Sequence, residues 1–222
     1  MLKPIKGIVF DFDGVIVDSE YYWPEIESKF LFEHTIGWKE EYYTKLLTGK
    51  SLPEAHKLLV NDFSLKLTYD EYLIEYSKMA INIYRNIAKP INGLIDVLDF
   101  LGKKSIKLAI ASSSKRSWIE LSLKTHDLLK YFDVIVSSLD IDVENGKPSP
   151  DVYLLAAKRL GESTDALIAI EDSKSGVLSS KSAGIYCIGL NNGFNNNQDI
   201  SESDIIINGY GEDMLNMLGA IL

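Results

Sequence analysis

Apolar residues keep two different rhythms along this chain. Near the start, Ile8, Val9 and Phe10 form a short unbroken run just after Gly7. Beyond Pro90 similar runs recur at 108–111, 134–136, 167–170, 186–190 and 205–207. Short continuous runs of this kind predict strands buried on both faces. Amphipathic segments separate them at 94–101, 118–129, 152–160 and 175–183, with a last one near 214–218. Strands alternating with helices predict a parallel sheet with helices on both faces.

Between residues 20 and 88 the rhythm is helical throughout. Pro24 suits a first helical turn, with Ile26, Phe30 and Leu31 on one side behind it. Tyr42, Tyr43, Leu46 and Leu47 mark a second helix ending at Gly49, and Leu52, Ala55, Leu58 and Leu59 a third. From Thr68 onward, Tyr72, Leu73, Tyr76, Met79, Ala80, Ile83 and Ile87 keep helical spacing over several turns. The expected architecture is therefore α/β: a Rossmann-like parallel sheet core, residues 1–18 and 89–222, with an α-helical bundle, residues 19–88, inserted after the first strand.

Composition changes this picture little: 46% hydrophobic and 25% charged residues over 222 positions fit ordinary globular material. The net charge of −9 argues against nucleic acid, since no basic face is visible to neutralise phosphates. It leaves room for a small anionic substrate, because a bound metal can make a local site positive. The single cysteine, Cys187, lies in an apolar run and reads as a buried structural thiol. No stretch is apolar for long enough to span a bilayer, and the N-terminus enters the first strand at once. The expectation is a cytoplasmic monomer without nucleic-acid or membrane partners.

The candidate chemistry sits just past the strand ends, because open parallel sheets bind ligands beyond the carboxyl ends of their strands. After the first strand come Asp11 and Asp13, which alternation puts on one side of the chain. Two acids leaving an apolar strand repel each other and need a cation, a proton or a substrate. A lone Asp-x-Asp is explained as well by acids capping a turn. The later strands tip the balance: Ser112, Ser113, Ser114 and Lys115 come after one, Glu171, Asp172 and Ser173 after another. Four carboxylates on one edge call for a divalent ion, and all-oxygen ligation suits magnesium. The three histidines, His34, His56 and His126, show no ligand spacing, which argues against zinc. Lys147 precedes prolines at 148 and 150, whose stiff backbone would fix where its ammonium points.

Four segments taken in order, Asp11-Phe-Asp13-Gly-Val, Ser112 after a strand, Lys147-Pro-x-Pro-Asp and Glu171-Asp172-Ser173, resemble the motifs of the haloacid dehalogenase-like hydrolase superfamily over nearly the whole chain. The helical insert looks like that superfamily's α-helical cap, of the class shared by β-phosphoglucomutases and sugar-phosphate phosphatases. The resemblance implies Asp11 as nucleophile and Asp13 as general acid and base. It implies Mg2+ held by Asp11, Asp172 and the Asp13 carbonyl, with Glu171 binding it directly or through water. Ser112, Ser113 and Lys147 would hold the phosphoryl group. As an acid at the solvent edge, Asp11 is expected to contribute little to the core, so that Asp11→Asn would abolish turnover with little loss of stability.

The expected activity is hydrolysis of small phosphorylated metabolites, sugar phosphates foremost. Phosphoryl transfer of the β-phosphoglucomutase kind is the alternative, and a phosphate-binding or regulatory relative the non-enzymatic one. The mutases carry a cap histidine and a cap-loop arginine at places that an ungapped reading gives to Trp23 and Leu52, which favours water as acceptor. Dehalogenases lack an acid at the second position, so Asp13 favours phosphorus chemistry. Gly49-Lys50-Ser51 resembles the end of a nucleotide-binding loop, but Thr44 stands where that loop needs glycine and no strand precedes it. Tyr22, Trp23 and Lys50 are weak expectations for substrate contacts, and core packing explains the two aromatics equally well.

Overall fold

The computed structural model describes residues 4–39, 41–42, 46–47 and 52–222. Six strands form one fully parallel sheet: β1 Gly7–Phe10, β2 Lys107–Ser112, β3 Val134–Ser137, β4 Leu167–Glu171, β5 Tyr186–Asn191 and β6 Ile205–Asn208, in the order β3-β2-β1-β4-β5-β6. The apolar runs forecast each of these strands within a residue or two at either end. Phe10 stands level with Ile110 on one side and Ile170 on the other. The residues just past these three strands therefore emerge at one height, beside the point where strand order reverses.

The chain divides into two compact units, Met1–Asp18 with Lys89–Leu222, and Ser19–Ala88. In the first unit one face of the sheet packs Val9, Ala109, Ala111, Val136, Ala169 and Cys187 against Tyr153, Ala156 and Val177. The intervening Ile8, Phe10, Ile110 and Ile170 are as fully buried, so both faces are covered. Covering helices are α4 Leu94–Lys103, α5 Arg116–Thr125, α6 Asp151–Leu160, α7 Lys174–Ser182 and α8 Glu212–Ile221. The helix forecast over 118–129 stops at Thr125, because Asp127 takes a left-handed backbone with φ +56°, a conformation that a short polar side chain tolerates. Burial pushes the Cys187 thiol up to about 12, leaving it inert.

In the second unit the described helices are α1 Trp23–His34, α2 Leu52–Phe63 and α3 Tyr69–Asn82, followed by a π-helical turn at Ile83–Ile87. Thr68 caps α3 in a reciprocal box with Glu71, which satisfies two otherwise orphaned N–H groups. The forecast for α1 needs correcting: its inner stripe is Trp23, Glu27, Ser28 and Leu31, whereas Ile26 and Phe30 are half-buried. Helical spacing to Ile87 also gives way at Ile83, where the wider turn buries Ile83 and Tyr84 side by side. Of the helix forecast at 42–49, Tyr43 and Gly49 lie outside the described residues. Among the described residues no helix is long and apolar enough to cross a membrane.

Candidate active site

The carboxyl ends of β1 and β4 deliver the acids. Asp11 leaves β1 with its N–H on the Ile170 carbonyl at 2.9 Å, which ties it to the neighbouring strand. Glu171 ends β4 and Asp172 comes next. Asp11, Glu171 and Asp172 are all buried, and each offers a carboxylate oxygen within 4.8 Å of the others. Asp11 is only 7% exposed, so the expectation of a solvent-edge acid is corrected: its carboxylate lies against the Lys147 ammonium, which is itself buried.

Lys147 lies inside this cluster. Its ammonium donates to Asp11 Oδ1 at 2.7 Å and to Glu171 Oε1 at 2.6 Å, with its own side chain 3% exposed. Burial by itself would lower the lysine's pKa, but the two carboxylates outweigh it and hold the ammonium above its ordinary value. For Glu171 burial and then the Asp11 charge push the carboxyl upward, opposed by Lys147 and Tyr153. The Lys147–Pro148 peptide is cis.

Two glycines let backbone pass close to these acids. Gly14 has φ +77°, and a Cβ there would overlap the Asp172 carboxylate. A Cβ on Gly176, in the first turn of α7, would overlap the Glu171 carboxylate. Ser173 caps that helix by accepting from Gly176 N–H at 3.1 Å, and its own hydroxyl donates to Glu171 Oε2 at 3.2 Å.

Sequence reasoning named Asp11, Asp13, Ser112, Lys147, Glu171 and Asp172, and all of them sit at this edge of the first unit. Ser112 is buried at the end of β2, where its hydroxyl accepts from Ser114 N–H at 3.0 Å. Ser114 in turn donates to Asp13 Oδ2 at 2.5 Å, so it is Ser114 that reaches the second acid. Ser113 is exposed. Trp23 and Tyr22 belong to the helical unit. There Trp23 is buried, stacks on Tyr76 at 5.8 Å and donates from Nε1 to the Tyr84 hydroxyl at 3.4 Å, so it is a packing residue of that unit. Tyr22 is half-buried and meets Tyr21 edge-on. Lys50 lies outside the described residues.

Three groups escaped the sequence reading. Tyr153, within the amphipathic segment 152–160, donates its hydroxyl to Glu171 Oε1 at 2.7 Å. Asn192 donates to Asp172 Oδ2 at 2.8 Å, and Asn195 to the Asp172 carbonyl at 2.7 Å. A tyrosine in an apolar stripe carries no signal of a carboxylate partner, and asparagines in a turn read as turn formers.

The donor set fits a divalent cation. Of the three buried carboxylates two pair with the Lys147 ammonium, which leaves the cluster negative, and every donor is a hard oxygen. Among the described residues the cluster holds neither imidazole nor thiolate, the donors that zinc favours.

The sequence model of the haloacid dehalogenase-like hydrolases matches residues 8–190. The chain belongs to that family. It is 30% identical over 219 residues to a phosphorylated carbohydrates phosphatase of Thermotoga maritima, covering 98% of this chain and 100% of that protein. It is 25% identical over 247 aligned positions to a phosphoglycolate phosphatase of Salmonella choleraesuis, covering 98% and 94%. Among solved structures, CbbY from Rhodobacter sphaeroides in complex with phosphate superposes with a TM-score of 0.81 at 23% identity, over 94% of this chain and 96% of that one. The family, and relatives named as phosphatases along its length, meet the expectation of a hydrolase of the phosphatase kind.

Proposed function

We propose that this chain is a magnesium-dependent phosphatase of small phosphorylated metabolites, sugar phosphates foremost, working through an aspartyl-phosphate on Asp11. The observation that carries the reading is the buried constellation of Asp11, Glu171 and Asp172, with the Lys147 ammonium paired to the first two. The 30% identical carbohydrate-phosphate phosphatase supports the substrate class.

Asp11, Glu171, Asp172 and the Asp13 carbonyl would hold Mg2+. When bound, the ion supplies positive charge against the repulsion between carboxylate and phosphate. Within the chain, Lys147 fixes the rotation of the Asp11 carboxylate by holding Oδ1. An Asp11 carboxylate oxygen attacks phosphorus as the bond from phosphorus to the leaving oxygen breaks. Asp13, held by Ser114, gives its proton to that leaving oxygen. A water then adds to phosphorus, losing its proton to the Asp13 carboxylate while the bond to Asp11 breaks. Both acids return to their starting states. Lys147, Ser112 and the backbone around Ser113 would hold phosphoryl oxygens, and donors placed where charge develops carry much of the acceleration. The helical unit, inserted between β1 and β2, would act as the cap that selects the leaving group.

The test is hydrolysis of p-nitrophenyl phosphate and a panel of sugar phosphates with Mg2+ and with a chelator. Turnover should require Mg2+ and vanish in Asp11→Asn. Undiminished turnover in Asp11→Asn, or in chelator, would overturn the reading.

A further inference from the structure

The segment 189–199, the end of β5 and the turn beyond it, is rich in asparagine and carries no motif, yet two of its side chains grip Asp172. Asn192 Nδ2 donates both of its hydrogens, to Asp172 Oδ2 at 2.8 Å and to the Gly14 carbonyl at 2.7 Å. Its Oδ1 accepts from the backbone N–H groups of Phe194 at 2.8 Å and Asn195 at 3.0 Å. Acceptors on one side and donors on the other permit a single orientation of the amide, and all of its capacity is used. Asn195, 9% exposed, does the same for the backbone. Its Nδ2 donates to the Asp172 carbonyl at 2.7 Å and to the Leu190 carbonyl at 3.0 Å.

We propose that Asn192 and Asn195 are positioning residues that hold Asp172 ready to bind a divalent cation. Asn195 pins the Asp172 main chain. Asn192 fixes the rotation of its carboxylate and ties it to the turn at Gly14, next to Asp13. The proposal rests on the reading of Asp172 as a cation ligand.

The residue type argues for a role beyond holding a loop together. Asp172 needs a donor to orient it, and a second cationic side chain, added to the Lys147 ammonium that already pairs with Asp11 and Glu171, would leave the cluster too little negative charge for a divalent ion. An aspartate at 192 would set carboxylate against carboxylate. A neutral amide orients the ligand and leaves its charge intact, as outer partners of metal-binding carboxylates do. Gly14 completes the arrangement, since any Cβ there would displace the Asp172 carboxylate.

The test compares Mg2+ binding by calorimetry for the wild-type chain, Asn192→Ala and Asp172→Asn. Losing such a partner weakens metal affinity by about 10–100-fold, and that loss is expected for Asn192→Ala with its far-ultraviolet circular dichroism unchanged. The rise in melting temperature that Mg2+ gives the wild type should shrink in step, whereas a loop brace alone would lower melting equally with and without the ion. Wild-type Mg2+ affinity in Asn192→Ala, alongside a loss in Asp172→Asn, overturns the positioning role alone. Wild-type affinity in Asp172→Asn overturns the ligand reading beneath it. Should Asn192→Ala fail to fold, the side-chain amide protons of Asn192 in the wild type are followed during Mg2+ titration. They should shift along the calorimetric saturation curve, and fixed positions throughout would overturn the proposal.

Discussion

Tyr153 donates its hydroxyl to Oε1 of Glu171 at 2.7 Å, joining two fully buried side chains that stand eighteen positions apart. Burial, with the charges of Glu171 and Asp11 added, holds the phenol well above its ordinary pKa, so it remains a donor. A buried carboxylate left short of a donor bears its full desolvation cost. Tyr153→Phe keeps the ring against the Lys147 ammonium, at 5.4 Å from its centre, and removes only the hydroxyl. Urea denaturation should show a loss of about 1.5–3 kcal/mol, the range for hydrogen bonds to charged groups. An unchanged midpoint would mean that Glu171 does not depend on this bond.

Lys147 pairs with Asp11 and Glu171, two of the three buried carboxylates of the cluster. Lys147→Met fills similar space without the charge. Removing one partner of a buried ion pair typically costs about 3–5 kcal/mol, and that loss is expected in chelator. Mg2+ should restore part of it, because the ion supplies charge to the same acids. The check is urea denaturation of both proteins with and without Mg2+. A variant as stable as wild type in chelator would contradict the account.

Away from the site, Asp140 accepts from Arg116 and Arg159. Burial would raise its pKa, but the hydrogen bonds from the two arginines and from Ser137 N–H outweigh it and hold the carboxyl below the ordinary 3.8. The unfolded chain therefore binds the proton more readily than the folded one. Stability from Asp140 is complete above that ordinary value and drains away as the pH falls below it, through the depressed folded value. Asp140→Asn should lower stability at neutral pH, and its gap to wild type should narrow below about pH 4. Denaturation curves from pH 3 to 7 decide it, and a gap that stays constant with pH would refute the linkage.

Much of this was legible in the sequence because strand burial and motif spacing are local properties. The runs at 8–10 and 167–170 marked both strands, and Asp11, Glu171 and Asp172 lie at or directly past their ends. Tyr153, Asn192 and Asn195 were not legible, since what each does depends on a partner from another part of the chain. Asn192 meets Gly14 across 178 positions, a pairing that only the assembled sheet creates. The burial of Asp11 was missed for the same reason: its carboxylate lies against the buried ammonium of Lys147, 136 positions away. The stripe of α1 was misjudged because Glu27 and Ser28 are buried there, against the usual preference of polar residues for solvent.

Gly176 separates helix propensity from site geometry. It lies in the first turn of α7, where alanine would ordinarily gain up to about 1 kcal/mol. Here a Cβ would fall on the Glu171 carboxylate. That carboxylate cannot swing aside cheaply, because Lys147 and Tyr153 hold Oε1 while Ser173 holds Oε2. Overpacking of a tight site costs about 1–3 kcal/mol, so the sign should reverse and Gly176→Ala should destabilise. Moving Glu171 also moves a proposed cation ligand, so Mg2+ should raise the variant's melting temperature less than it raises that of the wild type. Thermal denaturation with and without Mg2+ measures both effects. A more stable variant with an undiminished response to Mg2+ would show that Glu171 has room to move, against the crowding described here.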